Sequence, residues 1–204
     1  MSQPASNKQI LIWEIIGVCV IIIAGGPLHS LFEQSGYWPP VALIAAVNES
    51  IWEHLKMSFW PGLLFAGFQY LFVGKRIPNY GFGKLVGLIV TAILSAASFI
   101  VYLAIERASG NFAPNDLVTI SSSMLSVCLG QAACYRVLTA ASMPTIVARF
   151  SSLGYLLLIL AFSSFTYFPP KLYLFEQHHH YLPIGQYGID ADPQVGEHPW
   201  NENK

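Results

Sequence analysis

Charge is the scarcest property of this chain. Charged side chains make up 10% of its 204 residues, against about 25% in soluble domains, so they cannot cover a water-exposed surface of ordinary polarity. Lysine and arginine number 10 and the acids 11. With no basic stripe to meet a phosphate backbone, nucleic acid is excluded as a partner. The three cysteines, Cys19, Cys128 and Cys134, lie in apolar segments without a CxxC pair, which removes a disulfide framework and a redox motif together. No GxSxG elbow is present to hold a serine nucleophile. There is no internal repeat, so the inverted symmetry that would argue for a transporter is missing. The first apolar run carries no small-residue cleavage site and reads as an uncleaved span.

Apolar residues are abundant: 54% of the chain is hydrophobic, with mean hydropathy +0.50. They come in runs long enough for the roughly 20 helical residues that cross a bilayer. The predicted fold is therefore all-α, an integral-membrane helical bundle over residues 1–175 with about five spans, followed by a polar tail over 176–204. The first span runs from about Ile10 to Ala24 and ends at the "GGP" of Gly25, Gly26 and Pro27. The second follows Trp60-Pro61. The third is "KLVGLIVTAILSAASFIVYLAIE", the fourth runs from Leu117 to Arg136, and the fifth from Val147 to Phe168, where Pro169-Pro170 stops it. "PPVALIAAV" is too short to cross, and residues 39–56 read as an interfacial or re-entrant half-helix, or as the lead into the second span.

The loop charges give an orientation in the cell membrane. Lys75, Arg76 and Lys84 follow the second span, and Arg136 and Arg149 follow the fourth. Positive residues favour the cytoplasmic side, so the N-terminus is expected inside. The Leu28–Lys56 segment and the tail are then expected on the outer face.

Against this apolar background one stretch stands out, "NESIWEHLKMSFWP" at residues 48–61. Together with "PLHSLFEQSG" it places His29, Glu33, Asn48, Glu49, Glu53, His54 and Lys56 between two spans. If "PLHSLFEQSG" is a short helix, opened by its proline and closed by its glycine, His29 and Glu33 share a face at i and i+4. Glu49 and Glu53 share another, Asn48 can cap the turn that follows, and Lys56 reaches Glu53 from i+3. Ionisable residues at membrane depth are costly and point to function. Imidazole and carboxylate together suit a divalent transition metal, which makes His29, Glu33, Glu49, Glu53 and His54 the candidate ligands. In an enzymatic version Glu49 or Glu53 would be general base to an activated water. Asn48, Trp52 and Lys56 would complete the polar cluster. Two further readings stay open: an interfacial helix whose charges meet headgroups while its tryptophans form an aromatic belt, or a protonatable relay. The stretch has no HExxH or ExxH spacing to decide among them.

The tail brings His178, His179 and His180, followed by "YLPIGQYGIDADPQVGEHPW". A histidine tract with acids nearby can collect metal ions, or remain a solvated tail. Gly185 and Gly188 suit positive φ in a turn. The fourth span carries Ser121, Ser122, Ser123, Ser126 and Gln131, and serines in membrane helices usually pack closely or bond neighbouring backbone.

The strings "LHSLFEQSG", "AVNESIWEHLKMSFWP" and "FTYFPPKLYLF" with the later "GQYGI" resemble a family of small bacterial and archaeal integral-membrane proteins known only as a domain of unknown function, over roughly residues 10–190. The resemblance implies a multi-span membrane protein in which His29, Glu33, Asn48, Glu49, Trp52, Glu53, His54 and Lys56 form one feature. It implies no catalytic role. Three function classes follow from the residues: a polytopic protein with an outward-facing His/Glu site that binds metal, a metal-dependent hydrolase of a lipid-type substrate, and an accessory subunit of a larger membrane complex. In the last, His29 or His54 would ligate a pigment or haem, or the polar residues would dock other subunits. The lipid bilayer is a partner in all three.

Overall fold

The computed structural model describes residues 3–109, 116–178 and 185–191. Its elements are α1 (Asn7–Leu28), α2 (Leu31–Gln34), α3 (Ile51–Phe72), α4 (Tyr80–Ser109), α5 (Asp116–Leu138) and α6 (Thr145–Ser164), joined by short 3₁₀ turns. There is no strand among the described residues. The five long helices alternate in direction. α4 packs on α3, α5 and α6, while α1 closes the bundle against α3 and α5.

Among the described residues, four helices are long and apolar enough to cross a membrane: Asn7–Leu28, Tyr80–Ser109, Leu117–Leu138 and Thr145–Ser164. This corrects the expected count of five. α3 matches α1 in length, but Glu53, His54, Lys56, Pro61 and Gln69 dilute its hydropathy. The half-helix over 39–56 does not form as a separate element either. Pro39–Leu43 is a 3₁₀ turn, and α3 runs without interruption from Ile51 through Pro61 to Phe72.

The "GGP" motif does not stop the first helix. α1 continues through Gly25, Gly26 and Pro27, with His29 as its C-cap. α2 is then a single turn, followed by Gly36 and Tyr37, both at positive φ. Gly25 seats directly on the Met57 backbone carbonyl of α3. Pro61 lies four residues after Met57 and has no N–H to offer that carbonyl. The absent Cβ of Gly25 and the absent donor of Pro61 thus meet at one point and bring α1 close to α3.

The bundle has two ends. One gathers the C-terminus of α1, the start of α3, the end of α4, the start of α5 and the residues after α6. At the other end Lys84, expected in a loop, lies inside α4 and is buried. Its Nζ donates to both oxygens of Glu14, at 2.7 and 2.8 Å. Gln69 Nε2 adds 3.0 Å to the same carboxylate, and the Tyr80 hydroxyl closes on Gln69 Oε1.

Candidate functional site

The two carboxylates of the "NESIWEHLK" stretch have different surroundings. Asn48 Oδ1 accepts from Ser50 N at 2.9 Å, and Ser50 Oγ in turn accepts from Glu53 N, capping α3. This start points Glu53 and Lys56 inward, where both side chains are buried. Glu53 Oε2 accepts from Lys56 Nζ at 2.6 Å and from Val47 N at 3.2 Å. Glu53 Oε1 accepts from Thr166 Oγ1 at 2.8 Å. Lys56 Nζ spends its other two protons on the carbonyls of Ala42 and Ala45, at 2.7 and 3.0 Å. Every donor of the ammonium is used. The group is a polar clasp that ties the 39–50 loop and the segment after α6 to the start of α3. Beside it Trp52 stacks on Phe162, with ring centres 4.5 Å apart, and meets Phe175 at a tilt, with ring centres 4.8 Å apart.

Glu49 stands just before the helix and faces the other way. Its Oε1 lies 3.5 Å from His29 Nε2 and its Oε2 lies 3.3 Å from His54 Nε2. The two imidazoles meet edge to face, with ring centres 5.2 Å apart. One donor atom from each of His29, Glu49 and His54 falls within 4.8 Å of the others. The structure thus brings these three of the five candidate ligands together. It places Glu53 in the clasp, and Glu33 exposed on α2 outside the group.

Electrostatics distinguishes the trio. Burial would push the Glu49 carboxyl up, but hydrogen bonds and charge from His29 and His54 outweigh it and hold Glu49 well below the usual carboxylate range. His54 Nδ1 lies 2.9 Å from the Ser50 carbonyl. That oxygen can only accept, so Nδ1 carries a proton. Nε2 is then left to offer a lone pair to an ion or, as imidazolium, a proton to Glu49. Donating one ring nitrogen to a backbone carbonyl is how metal-ligating histidines are commonly oriented.

The trio lines one wall of a cavity of about 660 Å³ enclosed by α1, α3, α4 and α5. Most of its lining is apolar, with Tyr102, Glu106, Thr119 and Ser123 adding polar groups. Ser123 was expected as a packing serine of the fourth span, whereas Tyr102, Glu106 and Thr119 were not singled out from the sequence. A usable signal existed: Ser95, Phe99, Tyr102 and Glu106 recur at i, i+4, i+7 and i+11, one stripe of a helix. All four α5 serines, Ser121, Ser122, Ser123 and Ser126, bond carbonyls of their own helix.

Of the tail histidines, His178 reaches the cavity rim. Its Nε2 is 3.1 Å from the Tyr173 carbonyl, and burial lowers its pKa. His179 and His180 lie outside the described residues. The segment after α6 docks onto the motif rather than trailing from it. Gly188 O accepts from Asn48 Nδ2 at 2.8 Å, Gln177 Oε1 accepts from Glu49 N, and Ile189 N donates to Thr166 O at 2.9 Å.

A family model describing a family of unknown function, DUF6512, matches residues 2–189. The chain belongs to this family. Neither the curated proteins nor the solved structures compared with it contain a significant match. The DUF6512 match takes in the whole site, from His29 to the Gly188 carbonyl that holds Asn48.

Proposed function

We propose that this is a membrane-embedded metalloenzyme in which His29, Glu49 and His54 hold one divalent transition-metal ion, and that it hydrolyses a lipid-type substrate. The observation that carries the reading is the orientation of His54. Its Nδ1 is committed to the Ser50 carbonyl, and its Nε2 converges with Glu49 and His29 on one point at the cavity wall. One donor atom from each of the three lies within 4.8 Å of the others, and a modest closing would bring them to the roughly 3.3–3.6 Å that separates the ligands of a tetrahedral ion held at about 2.0–2.2 Å. Three protein ligands with a fourth position left open are the usual arrangement of catalytic zinc sites. An ion held there would supply Lewis acidity toward a water or an ester oxygen.

The protein's part is to fix the ligands. Glu49 would be the carboxylate ligand of that ion, kept ionised by His29 and His54 on either side of it. Glu53, expected as an alternative base, is occupied by three donors in the clasp and takes no step. Lys75, Arg76 and Arg136 gather at the end of the bundle opposite the site, which supports an outward-facing site. Cysteine labelling at Lys75 and Leu172 reads that orientation directly.

The test is the metal content of the protein purified in detergent and reconstituted with Zn²⁺ or Mn²⁺. About one equivalent should remain after desalting. It should be lost in His54→Ala and Glu49→Gln and kept in Glu33→Gln. Failure of the unmodified protein to retain metal would reduce the trio to an imidazolium–carboxylate clasp.

A further inference from the structure

The lining of the cavity reaches the surface at exposed residues of α1 and α5, two helices whose outer faces are apolar. α1 and α5 touch at Gly17 and Gln131, near the bundle's middle. Toward the site end, Ile22 and Gly26 of α1 and Ile120 and Met124 of α5 all line the cavity. Gly26, Ile120 and Met124 are also exposed. The flanks of this gap are apolar outside as well: Ile15, Ile16 and Ile23 on α1, and Leu117, Leu125 and Leu129 on α5, are exposed. Water-soluble ligands would meet a wall of hydrocarbon there. The inner floor is different in kind. Val127 and Ser95 line the cavity yet are only 4% and 5% exposed, so a molecule that touches them sits inside the cavity. From Glu106 to Ser95 the cavity follows α4 for eleven residues, about 16 Å of helix.

From this geometry we infer that the gap between α1 and α5 is a side door, through which one hydrocarbon chain of a bilayer lipid slides into the cavity toward Val127 and Ser95. The lipid's polar end stays level with His29, Glu49 and His54. The placement of that polar end rests on the metal-site reading, whereas the placement of the chain does not. Pockets of this size hold drug-sized ligands, and a chain leaving the bilayer for an apolar slot keeps an apolar environment throughout. Gly26 is the sill of the door. A Cβ built on it meets nothing within 4 Å, so a larger side chain starts there without a backbone clash and would narrow the opening that Gly26 lines. Its neighbour Gly25 has no such room.

The experiment uses the full chain in nanodiscs containing a phospholipid with a diazirine in its acyl chain, photolysed and mapped by mass spectrometry. Labelling is expected on Val127 and Ser95 as well as on the outward-facing Leu157 and Leu160 of α6. In Gly26→Trp the Val127 and Ser95 labels should fall at least tenfold while the α6 labels persist. Labelling of α6 without Val127 or Ser95 in the unmodified protein would overturn the side door, and so would full labelling of both in Gly26→Trp. A metal titration of the same samples separates the two ideas. Chain labelling without metal retention retires the metalloenzyme reading alone, and metal retention without chain labelling retires the door alone.

Discussion

Glu49 and Glu53 are four residues apart and would be taken for equivalents on one helical face, but Ser50 separates them. By capping α3 it leaves Glu49 outside the helix and makes Glu53 the third residue within it. One carboxylate looks into the cavity and the other into the protein. Their substitutions should therefore behave oppositely. Glu53→Gln leaves the buried Lys56 ammonium without its counter-charge, and breaking one partner of a buried pair costs about 3–5 kcal/mol. Thermal unfolding in detergent should show a large loss. Glu49→Gln removes only partly exposed contacts, which are worth about 1 kcal/mol or less, so the metal-free protein should unfold nearly as before while metal retention disappears. Equal destabilisation by both would show that Glu49 is a structural anchor like Glu53. The identities of the candidate residues were legible from the sequence because ionisable groups are rare in it. Their division was not, since it depends on Thr166 Oγ1 and on the carbonyls of Ala42 and Ala45, which no spacing rule brings to Glu53 and Lys56.

The helices were legible from their apolar runs, and two of the boundaries that moved lie at proline. The sequence predicts that the first span ends at Gly25-Gly26-Pro27 and that the second begins after Pro61, yet each proline stays within a helix. A proline removes one backbone donor and crowds one carbonyl, and a neighbouring helix in a bundle can re-satisfy what is freed. Here the Met57 carbonyl, which Pro61 cannot serve, is covered by Gly25. The consequence reaches the site, because α1 carries His29 one turn beyond Gly25 and α3 carries His54 one turn before Met57. Gly25→Val would force the two helices apart. Overpacking of this kind costs about 1–3 kcal/mol, and the separation between His29 and His54 would grow with it. Gly26→Ala, at the next position but facing open space, should be silent. Metal retention and unfolding temperature measured on both variants should separate them cleanly. If Gly25→Val keeps its metal, the helix contact does not set the site.

In the whole molecule the two buried polar groups sit at opposite ends, Glu14–Gln69–Lys84 at one and the Glu53–Lys56 clasp at the other, with apolar helix between. Ionisable residues in an apolar bundle are tolerable only when paired, and each group joins three separate parts of the chain. The clasp joins the 39–50 loop and α3 to Thr166, and Thr166 is held in turn by Ile189. This changes what the C-terminal segment is. By composition it reads as a separable tail beginning near residue 176, because polar, glycine-rich sequence usually signals one. Gly188 explains its actual role: at φ 66 it turns the chain so that its backbone lies against Thr166, where a side chain would collide with the Thr166 carbonyl at 2.6 Å. A chain ending after Tyr173 would lose the partners of Asn48, of the Glu49 amide and of the Thr166 carbonyl together. It should still insert, because the four apolar spans end before that point. It should retain no metal and unfold at a clearly lower temperature. A chain ending after Ala191 keeps all three contacts and should match the full-length protein in both measurements. Gly188→Val in the full chain should reproduce the shorter truncation, since it removes the same docking without removing a residue. If the protein ending at Tyr173 retains metal as the full chain is expected to, the docked segment is a cover over the motif and takes no part in shaping it.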